Sequence, residues 1–200
     1  GAADLPGIPP HRVNYRANVW ALSQLGLDHV LAINAVGGIS PAAAPGRLVL
    51  PDQLIDYTWG REHTYTGDSR FPLQHVDFTE PFSGLFRDRL LASARRLGLD
   101  LMPTATYAVT QGPRLESAAE IDRLERDGCH VVGMTAMPEA GLARELGLSY
   151  AICCVVVNQA AGRVPAGATL HGQMATALGE GMAAVRQLIS GLLQDTATAG

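Results

Sequence analysis

The chain has 200 residues and no lysine, and all 15 of its basic residues are arginine. Schiff-base chemistry and a phosphate-loop lysine are therefore excluded. A basic excess is also missing. The formal net charge is −4 and the pI is near 5.8, against a sequence-independent nucleic-acid binder, which needs a basic face. Charged residues make up only 17% and hydrophobic residues 47%, a composition that buries a sizeable core. There are three cysteines, and Cys153 and Cys154 are neighbours inside an apolar run. They read as buried thiols from a reducing compartment. No apolar run reaches the roughly 18 residues of a membrane helix. No basic-then-apolar leader opens the sequence, so the expected compartment is the cytoplasm. The histidines show no metal-ligand spacing, and no metal is expected.

What remains is an alternation of short apolar runs and longer helical stretches, with no internal repeat. Asn14 suits the cap of a helix over Tyr15–Leu25, with Gly26 as its stop. His29–Ala35 reads as a strand ending in Gly37-Gly38. Arg47–Leu50 and Leu54–Tyr57 read as short strands, and Thr58–Pro81 as a long aperiodic loop of the kind that is usually functional or at an interface. Leu85–Leu97 is amphipathic. Then come a strand over Leu101–Thr110, a helix over Glu116–Arg126, a buried strand at His130–Gly133 and a helix beginning near Pro138. Tyr150–Val157 is eight apolar residues in a row, the pattern of a strand covered on both faces. Thr169–Leu193 reads as one long helix. The expectation is a single α/β domain around a twisted sheet flanked by helices, over residues 1–200.

Ligands of open α/β sheets gather beyond the carboxyl ends of strands. Four such ends carry unusual residues. Asn34-Ala35-Val36-Gly37-Gly38 brings backbone amides close to an anion or a sugar, or else makes an ordinary tight turn. Gln111-Gly112-Pro113-Arg114-Leu115-Glu116 sets an Arg and a Glu beside a constrained turn, as a ligand wall or as a helix start. In Met134-Thr135-Ala136-Met137-Pro138-Glu139 a hydroxyl precedes a helix, as an anion site or as a cap. Asn158 is a polar amide where the longest apolar run stops. Together they favour a small-molecule site.

These motifs, with Val13-Asn14-Tyr15-Arg16-Ala17-Asn18, resemble the trimeric purine nucleoside phosphorylase and 5′-methylthioadenosine phosphorylase family. The likeness runs in register from Val13 to Leu193 and is greatest to the bacterial 5′-methylthioinosine phosphorylases. The resemblance implies a mixed-sheet α/β fold and a homotrimer. It implies a pentosyltransferase that cleaves a purine N-glycosidic bond with inorganic phosphate as co-substrate and no other cofactor. By carry-over, Asn158 is the catalytic base-binding amide, suited to N7 and O6 of a 6-oxopurine, and Glu116 accepts its N1–H. A 6-aminopurine would instead set a lone pair against the carboxylate. Family members that take adenine compounds carry Asp at the Asn158 position, so hypoxanthine or guanine is the expected base. Leu115 and Val157 wall the base, and Gln159 and Ala160 shape the same pocket. Met134 lies under the ribose, and Thr135 and the Ala35 amide touch phosphate. His171 falls where a 5′-hydroxyl is told from a 5′-methylthio group, or is a surface residue. The general likeness points to methylthioinosine, this one residue to inosine or guanosine.

The front of the chain departs from the family. A strand, a Gly-rich phosphate turn and an Arg-His clamp are expected before Val13, where this chain has Gly1-Ala2-Ala3-Asp4-Leu5-Pro6-Gly7. The chain is therefore expected to be an N-terminally truncated phosphorylase whose sheet lacks a strand and exposes unpaired backbone groups. The alternative is a non-catalytic nucleoside-binding or partner module. Arg16 and Arg114 are the candidates to replace the clamp.

Overall fold

The computed structural model describes residues 7–67, 69–164 and 170–198, with side chains of the last helix described from 174 to 194. Helix α1 (Tyr15–Ser23) begins as expected, with the Asn14 side chain accepting from the Ala17 amide at 3.0 Å. Strand β1 (His29–Gly38) follows, then β2 (Leu48–Val49), β3 (Gln53–Asp56), α2 (Gly84–Arg96), β4 (Leu101–Met102) and β5 (Thr106–Val109). Helix α3 (Ala118–Arg126), β6 (Val131–Gly133), α4 (Ala136–Glu145), β7 (Ser149–Gln159) and α5 (Leu170–Thr198) complete the order. The strands form one mixed sheet, β3-β5-β6-β1-β7-β2-β4. None of the described helices is long and apolar enough to cross a membrane.

Strand β7 is the axis of the core. Tyr150, Ile152, Cys154 and Val156 face a cluster that includes α1 and α4, while Ala151, Cys153, Val155 and Val157 face α2 and α5. Period-two side chains buried on both faces explain the unbroken apolar run. Each large aliphatic side chain so buried contributes about 1.5–3 kcal/mol. The cysteines are free and buried, and burial pushes the Cys153 thiol up to about 12.

Three local expectations are corrected. Leu101–Thr110 is two strands, not one. Pro103 cannot donate to a ladder, and β4 pairs with β2 at one edge while β5 lies between β3 and β6. Glu116 lies outside the helix: Ser117 caps α3 and forms a reciprocal capping box with Glu120. The double glycine is no turn, since both residues are paired within β1. A Cβ at Gly38 would stand 1.9 Å from the Ala43 carbonyl oxygen, so close approach of the backbone is what demands glycine.

The strand directions position the site. β1 and β7 run parallel, and β5 and β6 run parallel to each other, but β1 and β6 are antiparallel. Their seam is two pairs long, Gly37 with Val132 and Gly38 with Val131. From His29 to Val36, no described strand pairs with β1 on the side away from β7.

Gly38→Ala forces a Cβ against a main-chain oxygen and is expected to destabilise by about 2–3 kcal/mol. In Gly37→Ala the nearest atom is Val132 Cγ1 at 3.3 Å, and the expected change is within about 1 kcal/mol. Urea midpoints of the two variants check the contrast, and equal losses would reject the close-approach explanation of Gly38.

Candidate active site

The short seam brings two motifs together. Beyond Gly133, the chain continues back along β1, and Thr135 meets Asn34, whose Nδ2 donates to the Thr135 hydroxyl oxygen at 2.9 Å. Thr135 is the N-cap residue of α4 but makes no side-chain cap bond. Its hydroxyl is engaged by the sheet instead. Tyr107, fully buried on β5, lies 3.4 Å from the same Asn34 amide nitrogen, and burial pushes its hydroxyl up so that it stays protonated. Ala35 is exposed on β1, next to Asn34.

A second contact joins the Gln111–Glu116 motif to Met134. Gly112 has φ +59, and a Cβ there would lie 2.3 Å from Met134 Sδ. Only glycine meets both demands. The Thr110 hydroxyl donates to Glu116 Oε1 at 2.6 Å, which pins the carboxylate and leaves Oε2 for a ligand. Thr110, Gln111, Gly112 and Glu116 line a cleft of about 480 Å³ with Tyr57 and Trp59. Leu115 is 59% exposed beside it. The cleft takes in Glu116 but not Asn158, Met134, Thr135 or Ala35, so the site is a run of strand ends rather than one closed cavity.

Asn158 lies across the seam. It pairs with Gly37, past an irregularity that leaves Val157 without an opposite residue. A Cβ on Gly37 would be 3.6 Å from Asn158 Nδ2. One amide proton of Asn158 goes to the Gln159 carbonyl at 2.7 Å, leaving its other N–H and Oδ1 for a ligand. Gln159 is half-buried at the end of β7, Ala160 is buried under α3, and Val157 packs in the α2–α5 cluster. By strand spacing, Asn158 and Gly133 stand about 10 Å apart, two strands across. The His171 side chain lies outside the described residues.

The four motifs therefore meet, but not on a common carboxyl edge as the open-sheet rule suggested. Strands β5 and β6 oppose β1 and β7, and it is the brevity of β6 that gathers them. Both candidate arginines have acidic neighbours. Arg114 is bidentate to Glu120, at 2.8 and 2.7 Å, and Arg16 lies 3.8 Å from Glu62 and over the Tyr65 ring. Arg114 also lines the cleft that holds Glu116.

One residue had no signal in the sequence. Arg61, 8% exposed, comes from the long loop between β3 and α2. It donates to the carbonyls of Thr110, Gln111, Met134 and Met137, to Gln111 Oε1 and to Tyr15 Oη. Main-chain acceptors leave no trace in side-chain spacing. The loop itself is fixed by Glu145, which accepts from the Thr64 hydroxyl and the Tyr65 amide, and by packing of Trp20, Tyr65 and Phe71.

Comparison with known proteins fits this geometry. The model of the phosphorylase superfamily matches residues 5–194. The chain belongs to the phosphorylase superfamily. It is 50% identical over 186 residues to a probable S-methyl-5′-thioinosine phosphorylase of Pseudomonas syringae, covering 93% of this chain and 75% of that protein. Against the protein of that name from Xylella fastidiosa it is 58% identical over 155 residues, covering 78% of this chain and 62% of the other. A 6-oxopurine nucleoside phosphorylase of Pyrococcus furiosus is 48% identical over 160 residues, covering 78% and 60%. The chain thus spans 60–75% of the length of these three curated relatives. Among solved structures, methylthioadenosine phosphorylase of Schistosoma mansoni in complex with adenine superposes with TM-score 0.88 at 30% identity, covering 96% of this chain and 73% of that one. The nucleoside phosphorylase-like fold expected from the sequence is the fold observed.

Arg114 and the Ser117 amide hold the Glu120 carboxyl down to about 2. A carboxyl lowered in the fold stabilises above its unfolded value, and that contribution is lost as pH falls. Here the window runs from 4.5 down to about 2. Carboxyl NMR should give Glu120 a midpoint near 2, and Arg114→Met should return it toward an ordinary glutamate. A Glu120 midpoint indifferent to that substitution would release Arg114 from the pair and reopen it as a ligand.

Proposed function

We propose that this protein cleaves the N-glycosidic bond of a purine nucleoside with inorganic phosphate. The preferred substrate is S-methyl-5′-thioinosine, giving hypoxanthine and 5-methylthioribose 1-phosphate. The observation that carries the reading is that two polar groups of the strand-end motifs are each only half committed. Glu116 keeps one carboxylate oxygen beyond its bond from Thr110, and Asn158 keeps one N–H beyond its bond to Gln159. Such a pair suits a 6-oxopurine, with N1–H donating to Glu116 and N7 accepting from Asn158. The names of the relatives, S-methyl-5′-thioinosine phosphorylase and 6-oxopurine nucleoside phosphorylase, support the same base.

The chemistry follows from charge development. A phosphate oxygen attacks C1′ as the bond from C1′ to N9 breaks, and the electron pair leaves with the purine. The ribose becomes cationic and the base anionic. An N–H at N7 therefore bonds more strongly in the transition state than to bound substrate, which makes Asn158 the catalytic residue. Met134 gives the sugar a polarizable surface, and Leu115 and Val157 flank the base. Thr135 and the Ala35 amide take part in holding phosphate, and Gln159, Ala160 and His171 complete the substrate pocket. No cofactor beyond phosphate is required. The working form is a cytoplasmic homotrimer.

Hypoxanthine should be released from methylthioinosine or inosine only when phosphate is present, and equal release without it would mean hydrolysis. Thr110→Val frees the Glu116 carboxylate and should lower kcat/KM for 6-oxopurine nucleosides about tenfold, the worth of one hydrogen bond to a charged group. Asn158→Asp should move the ratio of rates toward 6-aminopurine nucleosides. Parallel assays on methylthioinosine, inosine and methylthioadenosine read both effects, and unchanged ratios would reject the scheme of base recognition.

A further inference from the structure

Arg61 is buried and joins two segments of the candidate site, Thr110–Gln111 and Met134–Met137. Its Nη2 donates to the carbonyls of Thr110 and Gln111 at 3.2 and 2.9 Å, where β5 runs into the Glu116 motif. Its Nη1 donates to the carbonyls of Met134 and Met137 at 2.8 and 2.6 Å, on both sides of Thr135. Its Nε donates to Gln111 Oε1 at 3.2 Å, and its guanidinium carbon lies 5.6 Å from the centroid of the Tyr15 ring. A guanidinium has five N–H groups in a rigid fork, and the acceptors here account for all of them. No carboxylate is among those acceptors. A buried cation normally takes a carboxylate, so a clamp made of carbonyls calls for a geometric explanation.

We propose that Arg61 is the positioning residue of this site, fixing the Thr110–Glu116 and Met134–Thr135 segments relative to each other through their peptide planes. In a trans peptide the carbonyl and the next N–H point in opposite directions. With the Thr110, Gln111 and Met134 carbonyls turned onto Arg61, the N–H groups of Gln111, Gly112 and Thr135 are turned away from it. One buried group thus sets the orientation of the wall that carries Glu116 and of the amide beside the Thr135 hydroxyl. Lysine cannot replace it, because a single ammonium lacks the fork that spans two segments. Without the fork, the two segments sample orientations in which the site is incomplete. Affinity then falls by the fraction of molecules with both in place, while a saturated site reacts as before.

The inference rests on the functional reading only for its kinetic arm. The first arm is amide hydrogen exchange on the wild-type protein, Arg61→Lys and Arg61→Met. Exchange about tenfold faster is expected in segments 107–117 and 132–138, with 150–157 in β7 unchanged. Exchange that is unaltered, or accelerated evenly through all three segments, would overturn the proposal, since the latter marks a loss of global stability. The second arm is steady-state kinetics. Arg61→Lys should raise KM for both nucleoside and phosphate about tenfold, with kcat within about twofold of wild type. A fall in kcat at unchanged KM would mean only that less folded enzyme is present, and would overturn it. The exchange arm needs no substrate. A protein that turns over no purine nucleoside would sink the functional reading and leave Arg61 to be judged by exchange alone.

Discussion

The antiparallel seam between β1 and β6 is two residue pairs long, and the site depends on that brevity. Were β6 to continue its ladder along β1, the Met134 and Thr135 backbone would be absorbed into the sheet. Instead the ladder stops at Gly37, the chain passes beside Asn34, and the Asn34 amide rather than a backbone bond holds Thr135. The same stop leaves Gly37 as the floor beneath Asn158. A longer seam would bind its own strands better and bind nothing else. A three-residue strand leaves the backbone that follows it, at Met134 and Thr135, outside the ladder.

Much of this was legible in the sequence wherever the cause was local. Asn14 as a cap and the apolar run of β7 are set by neighbours within a few residues or by one strand's periodicity. Asn34, Thr135 and Asn158 stood out as polar groups within or at the end of apolar runs. The corrected readings have different causes. Gly38 is glycine because of Ala43 across a turn, the stretch Leu101–Thr110 splits because its halves pair with different strands, and Glu116 falls outside α3 because Ser117 and Glu120 form its capping box. Only the split of Leu101–Thr110 is decided by tertiary partners. The S-x-x-E signature at Ser117–Glu120 was readable and would have moved the helix start past Glu116. Arg61 lay beyond any such reading, because its acceptors are main-chain oxygens that every residue possesses.

Arg61 also shows why stability is a poor guide to its presence. A buried charge pays for its desolvation, and a well-packed apolar side chain of similar volume is often as stable or more so. A methionine in the same space would carry no such desolvation cost. What the methionine lacks is direction. An apolar contact holds two segments near each other but leaves their peptide planes free to rotate, and amide direction decides whether a site donates or accepts. The guanidinium fixes four carbonyls at once, so the orientations of the attached amides are coupled rather than independent. In a site made of strand ends that run in opposite directions, no continuous ladder supplies that coupling. The loop between β3 and α2, aperiodic in sequence, supplies it with one side chain.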